Sequence, residues 1–150
     1  MSIAMLFMTT FAGCLIGSFV PLVNTELVVL AAAAAVPPVF LLPLVLLAAS
    51  TQMGAKSVLY LAGGGMLRLP VSRWTRRLHE AADAGSRYQK GGGVLLFTSA
   101  FSGLPPFYLT SIASGAVRLP FARFLAIGFA GRLLRFAALV AIPQAVKEVL

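Results

Sequence analysis

"FSGLPPFYLTSIASG", residues 101–115, places two adjacent prolines inside an apolar run where a membrane helix needs unbroken hydrogen bonds. Pro105 and Pro106 remove two backbone donors, and each pushes the residue before it out of the helical region. Leu104 and Pro105 are therefore expected to be non-helical, and with Gly103 beside them the helix breaks rather than kinks. The arms on either side, 94–104 and 107–117, have 11 residues each. At 1.5 Å per residue each reaches only about 16 Å, half of a hydrocarbon core of ~30 Å.

The surrounding composition makes that comparison with a bilayer appropriate. The chain has 150 residues, 59% of them hydrophobic and only 11% charged, and its mean hydropathy is +0.94. This is far from the balance of a soluble domain and predicts an integral membrane protein. Apolar runs over 3–36, 39–61, 94–117 and 121–142, bounded by charge or by Pro and Gly, predict one all-α membrane domain over 1–150. No Lys or Arg precedes Lys56, so the first 20 residues lack the basic region of a signal peptide and are read as a retained part of the fold. Cys14, the single cysteine, is read as a buried packing residue.

Twelve Lys/Arg against four Asp/Glu give a net charge of +8. Six of the cations, Arg68, Arg73, Arg76, Arg77, Arg87 and Lys90, lie in one polar segment. This marks a cytoplasmic loop facing anionic headgroups, and nucleic-acid binding is not expected. Within it, 70–90 carries Val71, Trp74, Leu78 and Ala81 or Ala82 at helical spacing, with Arg76/Glu80 and Asp83/Arg87 four apart. An interfacial amphipathic helix anchored by Trp74 and Tyr88 follows, with His79 solvated on it. The glycine triplets 63–65 and 91–93 are expected to act as hinges at its ends.

Two geometries fit the proline break: a broken helix that continues across, or a re-entrant hairpin that turns back. Charge favours the hairpin, which keeps Arg118 and Arg123 on the side of the six basic residues. The N-terminal run repeats the device. Pro21 interrupts it, Asn24 or Thr25 is placed to cap a new half-helix, and Glu26 falls in the first turn, where a carboxylate suits the helix dipole. Each hairpin is followed by one full span, the first carrying Gly54 and Lys56 and the second Gly131 and Arg132, with the two glycines expected at helix-packing contacts. Two opposed hairpins and two spans in an inverted repeat are the resulting expectation.

Ionisable residues at membrane depth are costly and face an interior or a cavity. Here they are Glu26, Lys56, Arg132 and Arg135, the last two neighbours on one helix face. Glu26 paired with one arginine as a static strut is one reading. Three cations against one carboxylate favour the other, an anion site beside half-helix N-termini.

"FVPLVNTELVVLAA", "MGAKSVLYLAGG", "FSGLPPFYLTSIASG" and "GRLLRF", in this order over nearly the whole chain, resemble the DedA superfamily, also called VTT-domain or SNARE-associated Golgi proteins, and most closely its short bacterial YqaA-type members. The resemblance implies opposed re-entrant hairpins in a bacterial inner membrane protein. It also implies a role in moving phospholipids or polyprenyl phosphates between leaflets, with proton coupling at the acidic position that Glu26 matches and phosphate binding at Arg132 and Arg135. Many members carry an arginine shortly after the second hairpin's proline, where this chain has Phe107, Tyr108 and Leu109, so that Tyr108 offers only a hydroxyl there. No nucleophile lies beside a base, so an enzyme, a metal or another cofactor is not expected. A proton-coupled small-solute carrier and a non-transporting assembly protein are the alternatives, and association into a homo-oligomer stays open.

Overall fold

The computed structural model describes residues 2–20, 23–64 and 86–149, the side chains of 86–90 and 144–149 excepted. Pro21 and the greater part of the expected interfacial helix, with Trp74 and His79, lie outside the described residues, as does the side chain of Tyr88. Among the described residues the fold is all-helical: α1 (Ile3–Phe19), α2 (Thr25–Ala35), a 3-10 turn (Pro38–Phe40), α3 (Leu41–Gly63), α4 (Ser86–Ser102), α5 (Phe107–Ala116) and α6 (Phe121–Val149). Two stretches, Pro38–Gly63 and Phe121–Pro143, are long and apolar enough to cross a membrane.

The chain divides into two compact units, one of Met1–Ala55 with Arg132–Leu150 and one of Lys56–Gly131. Each unit holds one pair of helices joined by a break, α1–α2 in the first and α4–α5 in the second, together with parts of α3 and α6.

In the first unit α1 and α2 approach closely because α1 carries glycine at the crossing. A Cβ on Gly13 would stand 2.8 Å from a Val28 methyl, and one on Gly17 would stand 2.4 Å from the Thr25 methyl. Phe7 of α1 meets Phe40 edge-to-face at 6.4 Å, which ties the pair to the turn before α3.

In the second unit the double proline breaks the chain as its chemistry requires. Gly103 takes φ 82°, Leu104 and Pro105 are non-helical, and α5 starts at Phe107 with Pro106 as its N-cap. The freed backbone groups meet hydroxyls. Ser99 Oγ donates to the Pro105 carbonyl at 2.5 Å and lies 3.0 Å from Thr110 Oγ1, while Ser102 Oγ accepts from the Leu104 amide at 3.2 Å. At its other end α5 closes in a Schellman motif: Arg118 adopts φ 54°, its amide bonds to the Gly115 carbonyl, and the Leu119 amide reaches Ser114. The Leu119 carbonyl then accepts a hydrogen bond from the Tyr60 hydroxyl of α3, and the Tyr60 ring packs on Phe124 at 4.8 Å.

Two expectations need correction. The triplet 91–93 does not interrupt the chain's helix: α4 runs through it from Ser86 to Ser102. Continuity there is favoured by packing, since a Cβ on Gly93 would press on Ile127 of α6 at 3.3 Å. Gly54 is not a packing glycine either. A Cβ there meets nothing within 4 Å, because Gly54 is exposed while Thr51, Gln52, Ala55 and Lys56 form the buried face of α3. Gly131 does fill the expected role, its Cβ position lying 2.7 Å from Ala100 of α4.

The backbone-to-backbone contacts between α3 and α5 are tighter still. A Cβ on Gly115 would fall 1.9 Å from the Tyr60 carbonyl oxygen, and one on Gly63 would fall 2.0 Å from that of Ile112. A helix cannot yield there by rotating a side chain. Gly115→Ala should therefore lower stability by on the order of 3 kcal/mol. Gly54→Ala, on an open face, should raise it by about 0.5–1 kcal/mol through helix propensity. Thermal unfolding of the two purified variants beside the wild type checks the contrast, and equal effects would contradict the packing.

Candidate functional site

Asn24 begins the site. Its Oδ1 accepts from the Glu26 amide at 3.0 Å, which caps α2 and leaves Thr25 as the first helical residue. Capping fixes where the first turn of α2 lies and so where Glu26 points. The Glu26 carboxylate accepts from Arg135 of α6 twice: Nε donates to Oε1 at 2.7 Å, and Nη2 donates to the same oxygen. Both side chains are largely covered, 19% exposed for Arg135 and 28% for Glu26.

Arg132, one turn earlier on α6, is 8% exposed and has Arg135 and Glu26 as its electrostatic neighbours, one repelling and one attracting. The Glu26 carboxylate thus binds Arg135 directly and lies within electrostatic reach of Arg132. Arginine presents donors in a planar fork that matches a phosphate's oxygens, so the cluster has the chemistry to hold a phosphoryl group as well as a carboxylate. The pair itself is common to the strut and anion-site readings, since each places Glu26 against an arginine.

Three of the expected site residues, Glu26, Arg132 and Arg135, thus come together in the first unit. The other two belong to the second. Lys56 is buried at 5% exposed, and Tyr108, at 41%, stands exposed one residue into α5. Pro105 and Pro106 form the break before it, and Cys14 is fully buried in α1 as expected.

Several polar residues of the structure are not foreshadowed by charge or motif. Gln52, one turn before Lys56 on α3, is 2% exposed, and its Oε1 has no hydrogen-bond partner among the described residues. Ser99 and Thr110 hold the break together although neither is ionisable. Their signal in the sequence is positional: hydroxyl residues flank a double proline, so that Ser99 reaches the Pro105 carbonyl and Thr110 reaches Ser99. Among the described residues no group of three or more His, Cys, Asp or Glu is placed to hold a metal ion.

Comparison of the chain with family models, curated proteins and solved structures gives no match. The DedA resemblance accordingly stands on the sequence elements alone.

If Glu26 and Arg135 stabilise each other across α2 and α6, their effects must be non-additive. In a double-mutant cycle with Glu26→Gln and Arg135→Gln, each single change should destabilise and the double change should cost less than their sum. The coupling should be about 1–2 kcal/mol, between the values of exposed and fully buried pairs. Additive costs in thermal or denaturant unfolding would show that the contact holds nothing together.

Proposed function

We propose that the chain is a multi-pass inner membrane protein that carries phosphate-bearing lipids, phospholipids or polyprenyl phosphates, from one leaflet to the other. The observation that carries the reading is the cluster of Arg132, Arg135 and Glu26 on a helix whose surroundings suit lipid. Only 28% of the apolar window of Phe121–Pro143 is buried inside the protein, whereas the core helix of a soluble protein is mostly buried. Large apolar side chains face outward elsewhere too, among them Met8, Leu27, Leu42 and Val94. In water such a surface is a liability; in a bilayer it is the solvent-facing side.

In this reading the helix pairs α1–α2 and α4–α5 are re-entrant, the second keeping Arg118 and Arg123 on the side of the other basic residues. Their breaks thin the barrier that a headgroup must cross. Each unit's helix pair with parts of both long helices is the composition that an inverted repeat would give. Arg132 and Arg135 bind the lipid phosphate. Glu26 competes with it for Arg135, so a proton on the carboxylate frees donors for the phosphate and loss of that proton expels it. Proton coupling is then a consequence of one shared arginine.

Leaflet exchange of labelled phosphatidylglycerol in liposomes containing the purified protein tests the proposal. Arg132→Gln and Arg135→Gln should each slow exchange about 10- to 100-fold, the value of a hydrogen bond to a charged group, with insertion intact. Arg135→Lys should recover part of the rate if charge alone matters, and none if the planar fork grips the phosphate. Wild-type exchange in the double Gln variant would contradict the proposal and leave the ion pair as a strut.

A further inference from the structure

The first unit contains a cavity of about 290 Å³ beside the charged cluster. Its lining side chains are all apolar, with backbone polar atoms exposed between them: Leu30, Ala33 and Ala34 from α2, Val140 and Pro143 from α6, and residues 36 and 38 of the connection to α3. The space exists because small residues stand where larger ones would close it. Ala33 and Ala34 have short side chains, and Pro143 removes a hydrogen bond within α6. It opens outward, since Ala34, Pro38 and Pro143 are all exposed.

The cavity and the cluster share the same two helices. Leu30 is one turn beyond Glu26 on α2; Val140 and Pro143 lie five and eight residues beyond Arg135 on α6. At 1.5 Å per residue, cationic head site and apolar space are separated by about 8–12 Å along α6. A phosphate at one end and a hydrocarbon chain at the other is the arrangement of a single amphiphile.

We infer that the cavity between α2 and α6 receives one hydrocarbon chain of the lipid whose phosphate sits at Arg132 and Arg135. The inference rests on the lipid-carrying reading and deepens it, because it takes one tail out of the bilayer and into the protein. The guanidinium donors suit an anionic head, and the apolar side chains of the lining suit a hydrocarbon chain. A volume of 290 Å³ accommodates roughly ten groups of water size at ~30 Å³ each, a segment of chain rather than a whole lipid. Leaving surrounding lipid for this cavity gains nothing from the hydrophobic effect, since both environments are apolar. Dispersion contacts with the lining provide the gain, and these depend on fit. The cavity therefore acts on chain shape while the arginines act on charge.

Photolabelling tests the inference. The protein is placed in phosphatidylethanolamine vesicles containing phosphatidic acid with a mid-chain diazirine, irradiated and mapped by mass spectrometry. Adducts should concentrate at 30–38 and 140–143, about fivefold above those at the outward-facing Leu134 and Met8, a preference of about 1 kcal/mol. Ala34→Phe, at an exposed position that fills the cavity without entering the core, should bring them down to the Leu134 level. In the wild-type protein, excess dodecyl phosphate should displace the cavity adducts and inorganic phosphate should not, which gives the same answer if the variant fails to insert. Even labelling of the apolar surface, or displacement by inorganic phosphate alone, would overturn the inference. Exchange measured on the same vesicles separates the two ideas: cavity labelling without exchange contradicts transport but not tail binding, and exchange with even labelling does the reverse.

Discussion

The contact between Arg135 and Glu26 is the constraint around which the first unit is organised. Charge is expensive away from water, so an arginine on an apolar helix must find an anion and a carboxylate must find a cation. Glu26 can meet Arg135 only if α2 begins where it does, and that start is set by the Asn24 cap. The cap in turn requires α1 to end before it, and glycines at 13 and 17 let α1 lie close enough for the two helices to pack. The ion pair is thus reached through the end of α1, the cap and the small residues of the crossing together.

The second unit solves a different problem with neutral groups. Its break leaves backbone amides and carbonyls without helical partners, and in an apolar medium each such group costs several kcal/mol. Ser99 and Ser102 bond to that backbone, Thr110 meets the Ser99 hydroxyl, and α5 ends in a Schellman turn after which the Leu119 carbonyl is taken by Tyr60. The contrast assigns different work to the two units. One break presents a carboxylate, Glu26, that meets an arginine of α6; the other is held by hydroxyl groups.

Much of this architecture is legible in the residues. The break at Pro105 and Pro106, the Asn24 cap, the start of α5 at Phe107 and the two long apolar helices follow from rules that act locally, at the position of the residue that causes them. The grouping of Glu26 with Arg132 and Arg135 follows from the cost of unpaired charge. What the sequence hides depends on neighbours. Gly54 and Gly131 look alike in one dimension, yet only Gly131 faces another helix. The 91–93 triplet reads as a break in one dimension, yet α4 runs through it, with Ile127 against Gly93 alone. The apolar cavity has no motif at all, being the shape left between alanines of one helix and a proline of another.

The central claim is that the Glu26–Arg135–Arg132 cluster lies at hydrocarbon depth. Leu27 and Leu134 stand next to Glu26 and Arg135 in sequence and are exposed, 63% and 51%, so they report the depth of the cluster without disturbing it. Nitroxides attached at Leu27→Cys and Leu134→Cys in a Cys14→Ser background, with the protein in liposomes, can be probed by collision with oxygen, which concentrates in hydrocarbon, and with a water-soluble nickel chelate. The account predicts frequent oxygen collisions and few nickel collisions at both sites. Frequent nickel collisions at both would place the ion pair in water and contradict it.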